Sequence, residues 1–472
     1  QAFALAWPFE GASYGQPIAA LQLTSLAILA AVLDRSNSAT QAFWQAWIFA
    51  SAWLLAIFWW LFISMHIYGE MHASLAAAAV ALLAIALGLY YAFAGALYRR
   101  CCHQGQSVFS RAFSFAFAWM LAELLRGTLF TGFPWGAIGY AHVDSPIRHW
   151  LPWVGVYGVS AIAALVCMLV TAKRAEHIEN PSRIGWCIRL AVLVALAYTW
   201  STANTQQTAA NKEASQQTLK VALVQGNVPQ DLKFGAAVPQ ALVDYRQALL
   251  ANTADFIALP ETALPVLADN LPEHFWSELK QHFAQHQQLA LIGMPMRDAG
   301  PSTQGQLTNS AMALMPSASA ANYRYDKHPL VPFGEFVPPM FRWFVDLMRI
   351  PLGSFGRGAL GQPLLEFKGE RIATNICYED LYGEELATRF ADAATAPTVF
   401  ANVSNMGWFG GTVALQQHLN ISRVRALEFQ RPFVRATNTG ATAFLSYRGE
   451  VLQMLPPQTR GVLQGEVQGR TE

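Results

Sequence analysis

The chain has 472 residues, 53% hydrophobic and 13% charged, with a mean hydropathy of +0.25, which is too apolar for a wholly soluble protein of this size. A net charge of +1, without a Lys/Arg cluster of the kind that tracks phosphates, excludes nucleic acid as a partner.

The apolarity is uneven. Residues 1–200 are rich in Ala, Leu, Phe and Trp, residues 201–218 form a Gln/Asn/Thr/Ala linker, and residues 219–472 have a globular composition. Gln1 is not an initiator Met and residues 1–7 resemble the end of an apolar segment, so native sequence is expected beyond both ends. Runs long enough to cross about 30 Å of hydrocarbon are predicted at 16–33, 42–65, 75–97, 108–125, 151–170 and 184–200. The loops fix an orientation. Arg35, Arg99, Arg100, Arg111, Lys173, Arg174, Arg183 and Arg189 fall on one side, which is then cytoplasmic, and Arg126 and Arg148 on the other. Counting crossings puts residues 219–472 outside the cytoplasm. Cys101, Cys102, Cys167 and Cys187 all lie in the membrane half, so Cys377 has no disulfide partner in the exported half, and reactivity is one explanation for it. At the outer end of the fourth predicted span, Glu123, Arg126, Trp135 and Tyr140 combine charge and aromatics at headgroup depth, which fits an interfacial belt or contact with a lipid headgroup.

In the exported half, predicted strands at 219–226, 254–261, 289–296 and 310–315 alternate with predicted helices at 239–252 and 272–286. That alternation predicts a layered α/β domain and puts Glu261 at a strand end. Ile372 to Ile376 runs as a strand into Cys377, and acidic residues open a predicted helix at 381–390. A thiol at such a turn meets the positive end of a helix dipole, which favours thiolate. Lys327, beside Pro329, completes a set of base, cation and thiol that covalent catalysis can use.

Four stretches carry a resemblance: Leu259-Pro260-Glu261-Thr262, Lys327-His328-Pro329-Leu330-Val331-Pro332-Phe333-Gly334-Glu335, Asn375-Ile376-Cys377-Tyr378-Glu379 and Asn402-Val403-Ser404-Asn405. They resemble the Glu-Lys-Cys signature of the nitrilase superfamily. With Leu125-Arg126-Gly127 and Thr131-Gly132-Phe133-Pro134-Trp135, the chain is similar to its membrane-embedded branch, the bacterial apolipoprotein N-acyltransferases.

The resemblance implies an αββα sandwich attached to a polytopic helical membrane bundle in the inner membrane, with the sandwich on the periplasmic side. It implies Cys377 as nucleophile, Glu261 as general base and Lys327 as oxyanion stabiliser, supported by Glu335, Tyr378 and Glu379. The implied reaction moves an acyl chain from a phospholipid, phosphatidylethanolamine at its first glycerol position, through a Cys thioester to the α-amino group of a diacylglyceryl-lipoprotein. No cofactor and no metal are needed, and a monomer suffices. Two departures stand out. Phe234 replaces the family's Trp after Leu232-Lys233, and Met406 stands where an acid often precedes Gly407-Trp408-Phe409-Gly410.

Residues 331–363 are long, punctuated by Gly and Pro, and carry Phe333, Phe341, Trp343 and Arg357. This is expected either to pack onto its own core or, the better reading, to be a lid that dips into the outer leaflet and guides acyl chains, with Arg342, Arg349 and Arg357 toward lipid phosphates. A second arm is expected at 230–239 with Phe234, and Trp408 is expected beside the substrate. The alternatives are a membrane-tethered amidohydrolase with water as second nucleophile, and a transporter with a regulatory exported domain; the spans carry few of the ionisable residues that the latter needs.

Overall fold

The computed structural model describes residues 1–102, 106–172, 218–297, 306–316, 323–337 and 355–471. The chain divides into two compact units, Gln1–Lys212 with Gln416–Glu428, and Glu213–Leu415 with Phe429–Glu472. The predicted span at 184–200 and the body of the linker lie outside the described residues.

Among the described residues of the first unit, four helices are long and apolar enough to cross a membrane: Ala39–Phe58, Ala73–Cys101, Val108–Thr131 and Pro146–Thr171. Ala19–Asp34 is shorter, with 16 residues. We label Ala19–Asp34 α1, Ala39–Phe58 α2, Ala73–Cys101 α3, Val108–Thr128 α4 and Leu151–Thr171 α5. Serines start two of them: Ser38 accepts the Gln41 amide and Ser107 the Ser110 amide, each at 3.1 Å. Small residues let α2 and α3 approach closely. A Cβ on Gly95 would lie 2.8 Å from the Ala42 carbonyl, and one on Gly88 2.5 Å from Ser51 Oγ. Asp34 at the end of α1 accepts from Arg111 of α4 at 2.7 and 2.8 Å and from Tyr98 of α3 at 2.8 Å, tying three helices at one level.

The second unit is built on two six-stranded sheets. The strands are β1 (Leu219–Gln225), β2 (Phe256–Ala258), β3 (Leu289–Arg297), β4 (Leu307–Leu314), β5 (Arg324–Asp326), β6 (Leu365–Phe367), β7 (Glu370–Ile376), β8 (Val399–Ser404), β9 (Phe433–Thr437), β10 (Ala443–Leu445), β11 (Val451–Met454) and β12 (Gly461–Val467). One sheet runs β12-β1-β2-β3-β4-β5, the other β11-β10-β9-β8-β7-β6. Each has a parallel centre, β1-β2-β3 or β7-β8-β9, flanked by antiparallel strands. Parallel strands buried on both faces explain the unbroken apolar runs such as Val221-Ala222-Leu223-Val224.

Helices α6 (Val238–Leu250) and α7 (Glu273–His286) cover the first sheet. Tyr245, Leu249, Phe275, Leu279 and Phe283 from the helices meet Ile257, Leu259 and Ile292 in one core. The helix α8 (Ala414–Phe429) contributes its residues Gln416–Glu428 to the membrane-helix unit. There Gln417 accepts from the indoles of Trp60 and Trp135 at 3.1 and 2.8 Å, Arg425 donates to Tyr140, and Glu428 accepts the Val156 amide.

Candidate active site

Glu261, Lys327 and Cys377 each stand just past the C-terminal end of a strand, β2, β5 and β7, and Asn405 follows β8 in the same way. Alternating folds gather polar groups at this end because the strands stop there and side chains converge. Cys377 has φ 54° and Thr262, next to Glu261, has φ 50°, left-handed conformations that cost a non-glycine residue about 1–3 kcal/mol. The strain at Cys377 turns the chain sharply out of β7 and into the 3-10 turn Cys377–Leu381.

The three side chains are buried, with Glu261 6%, Lys327 1% and Cys377 8% exposed. Lys327 Nζ lies 3.1 Å from Glu261 Oε1 and 3.0 Å from Glu335 Oε1, so one ammonium bridges two carboxylates. Asn309 of β4 donates to both carboxylates, at 2.7 and 2.6 Å. The second oxygens are held by backbone: Glu261 Oε2 accepts the Asn405 amide and Glu335 Oε2 the Val331 amide, each at 2.8 Å. These bonds leave each carboxylate one orientation.

Burial disfavours charge on Glu261, but Lys327, Asn309 and Lys233 outweigh it and hold its carboxyl below the usual range. Burial likewise opposes the Lys327 ammonium, and Glu261 and Glu335 reverse this and hold it firmly protonated. Burial together with the Glu261 charge pushes the Cys377 thiol up to about 12, against the pull of Lys327. The resting site is therefore a thiol beside a carboxylate. The expected dipole-stabilised thiolate is corrected here, because a short 3-10 turn and the five-residue helix Gly383–Ala387 follow the thiol and desolvation outweighs whatever dipole they carry.

Glu379 is buried behind the thiol turn and accepts from the backbone amides of Ile376 at 2.5 Å and His328 at 2.8 Å, and from the Tyr325 hydroxyl at 3.1 Å. Burial raises its pKa to about 7 despite those donors. The Tyr378 ring faces Lys327 Nζ at 5.8 Å and its hydroxyl donates to the Leu330 carbonyl at 3.2 Å. Glu335, Tyr378 and Glu379 thus surround the lysine and the thiol turn.

Phe234 is 59%, Phe333 44% and Trp408 39% exposed, and Arg357 is exposed with its guanidinium over the Phe336 ring at 5.8 Å. Phe341, Trp343, Arg342 and Arg349 lie outside the described residues. The expected headgroup-facing set needs correction, since Glu123, Arg126, Trp135 and Tyr140 are all at most 3% exposed. Arg126 donates to the carbonyls of Phe133 and Trp135 at 2.5 and 2.8 Å, and Glu123 accepts the Ile138 amide at 2.9 Å. Polar groups in an apolar helix end find backbone partners instead of facing outward.

Sequence reasoning missed two side chains. Lys233 is 2% exposed and donates to the Glu261 carbonyl at 3.0 Å. Asn309 lies in β4, whose expected start at residue 310 left it out. Among the described residues no cluster of His, Cys, Asp and Glu suits a metal ion.

Apolar helices of membrane-crossing length joined to a two-sheet α/β domain with a buried acid, lysine and thiol define a membrane-anchored member of the nitrilase-like class. Residues 2–169 match the apolipoprotein N-acyltransferase N-terminal domain, and residues 220–472 match carbon-nitrogen hydrolase. The chain is 49% identical over 484 residues to an apolipoprotein N-acyltransferase of Verminephrobacter eiseniae, covering 100% of this chain and 87% of that one. It is 42% identical over 451 residues to one of Ralstonia nicotianae, covering 95% and 83%. A crystal structure of Saccharomyces cerevisiae Nit3, a member of branch 10 of the nitrilase superfamily, aligns with 54% of this chain and 93% of that one at 16% identity and a TM-score of 0.40. The chain belongs to the apolipoprotein N-acyltransferase family.

Proposed function

We propose that this protein is a lipoprotein N-acyltransferase that takes an acyl chain from a phospholipid, with phosphatidylethanolamine as donor, and delivers it to the α-amino group of an N-terminal S-diacylglyceryl-cysteine. The names of its relatives and the carbon-nitrogen hydrolase match support lipoprotein N-acylation in general, in a bacterial membrane. The finer reading is an inner-membrane monomer with residues 219–472 on the periplasmic side.

In the first half-reaction Cys377 Sγ attacks the ester carbonyl while its proton passes to Glu261. A thiol held high beside a carboxylate held low does not ionise beforehand, so proton transfer accompanies S–C bond formation. Lys327 and the Tyr378 amide donate to the oxyanion, and each such donor is worth about 2–4 kcal/mol of barrier. The tetrahedral adduct collapses to a thioester, and the lysophospholipid alkoxide leaves with the proton from Glu261. The acceptor amine then attacks the thioester and gives its proton to Glu261. Loss of the Cys377 thiolate forms the amide, and the proton returns to sulfur.

The observation that carries this reading is one buried ammonium held between Glu261 and Glu335 whose charge acts on the Cys377 thiol. It is tested by intact-mass measurement after incubation with phosphatidylethanolamine. An acyl-sized adduct is expected on the wild type and not on Cys377→Ala, persisting until a diacylglyceryl-peptide is added. An adduct released by water at the same rate without the peptide indicates a hydrolase instead, and no adduct overturns the scheme.

A further inference from the structure

Among the described residues, Lys233 is a buried ammonium beside Glu261 that forms no ion pair within salt-bridge distance. It lies in the turn before α6, 2% exposed, and among the described residues its one hydrogen bond runs to the Glu261 backbone carbonyl at 3.0 Å. An ammonium has three N–H donors and is costly to bury without a direct ion pair, so its charge bears on the groups packed around it. Lys327, by contrast, is shared between two carboxylates.

The charge balance shows the use. Glu261 and Glu335 against Lys327 leave the cluster one negative charge in excess, and moving a proton from Cys377 to Glu261 keeps that excess while placing it on sulfur. A second buried cation cancels it in every state of the reaction. We propose that Lys233 is a positioning residue of the acyl-transfer site: it holds the Glu261 backbone and supplies the second positive charge that stabilises the Cys377 thiolate and the oxyanion that follows. This rests on the acyl-transfer reading for its role in turnover, but not for its effect on the thiol.

Burial lowers the Lys233 pKa to about 8, with Glu261 and Cys377 pulling it back up, so its charge is present at neutral pH and lost in mild alkali. Other charges face the thiol as well. Glu261, Lys327 and Glu335 act on Cys377 from the first sheet and its loops; Glu379 and Asp380 sit on its own turn, and Arg435 of β9 lies 3.3 Å from Asp380. Glu379 titrates near 7, on the acid side.

The test uses the full-length protein in detergent and follows alkylation of Cys377 by iodoacetamide across pH, read by peptide mass spectrometry so that the other cysteines do not interfere. Lys233→Met is expected to react about ten-fold more slowly than wild type at pH 7, the factor given by one pKa unit, with the ratio closing toward one well above pH 8. Lys233→Arg should recover most of the rate. Coincident profiles for wild type and Lys233→Met overturn the proposal, as does an equal loss in both variants accompanied by a lowered melting temperature, which marks a structural role only. Acyl-adduct formation from phosphatidylethanolamine is measured alongside. A shifted alkylation profile without any adduct in wild type sinks the acyl-transfer reading and not the charge effect, and an adduct with an unshifted profile sinks only the latter.

Discussion

Glu379 accepts the backbone amide of His328 at 2.8 Å, so a carboxyl on the turn that carries Cys377 also fixes the residue that follows Lys327. A second oxygen of the same carboxyl takes the Ile376 amide, just before the thiol. One side chain therefore sets the spacing between the Cys377 thiol and the Lys327 ammonium. Positioning of this kind is sensitive, because small displacements of reacting groups cost large factors in rate.

Replacing Glu379 with Gln puts an NH2 where only donors point. The Ile376 and His328 amides and the Tyr325 hydroxyl cannot all be satisfied, and acyl-adduct formation is expected to slow by about 10- to 100-fold with roughly 1–3 kcal/mol lost in stability. The pH dependence has a definite sign. A carboxyl whose folded pKa is raised to about 7 binds its proton more tightly when folded, so that part of the stability is complete below its unfolded value and is lost as pH rises through 7. Thermal melts of wild type should fall between about pH 5 and 8 more steeply than those of Glu379→Gln. Parallel curves contradict the assignment.

Lys327→Met leaves Glu261 and Glu335 facing each other across Asn309, which donates to both. Stripping the cation from a buried cluster is expected to cost about 3–5 kcal/mol, and one carboxyl should retain a proton. On the proposed reaction, adduct formation should fall by at least about 100-fold, the worth of an oxyanion donor. The double variant Lys327→Met with Glu335→Gln leaves a single carboxyl and so removes the repulsion of the pair, and it should melt higher than Lys327→Met alone. Strictly additive losses in that cycle argue against the bridge.

The strand-end carboxyl and the elbow thiol were legible because each follows an apolar run that stops at a reactive group, whereas Lys327 follows Tyr323-Arg324-Tyr325-Asp326 and was legible only beside those two and through the resemblance. Strand and helix periods placed β1, α6, α7 and β3 to within a few residues of their observed ends. Lys233 and Asn309 were not legible in that way. Both matter through neighbours distant in sequence: Lys233 through the Glu261 carbonyl, Asn309 through Glu261 and Glu335 at once. Local pattern also misjudged the thiol's charge, since helix position is local while desolvation depends on everything packed around Cys377. It misjudged Arg126 for the same reason: an Arg at a helix end looks interfacial until the loop that wraps it is known.

Gly293 of β3 lies directly under the turn that bears Glu261. A Cβ there would sit 2.3 Å from the Pro260 carbonyl oxygen and 2.8 Å from Glu261 Cα, too close without a shift of backbone. Gly293→Ala is expected to displace the Glu261 carboxyl and, on the proposed reaction, cut adduct formation by about 100-fold, as misplacement of a reacting group does, with the chain still folded by circular dichroism. Gly461→Ala in β12 is the control. Its Cβ would meet only Leu455 at 3.5 and 3.7 Å, and activity should be unchanged.

Arg126 separates a structural from a lipid-binding role in the membrane helices. Its guanidinium reaches the Phe133 and Trp135 carbonyls and the Tyr91 hydroxyl at 3.1 Å, a fan of acceptors that a single ammonium cannot span. Arg126→Lys is therefore expected to behave nearly as badly as Arg126→Met, each losing about 2–4 kcal/mol through unpaired buried carbonyls, with lowered melting temperatures in detergent and unchanged affinity for phospholipid in the fraction that remains folded. If both variants melt like wild type while donor affinity drops, the side chain binds headgroup directly, and the inward bonds are not what keeps it there.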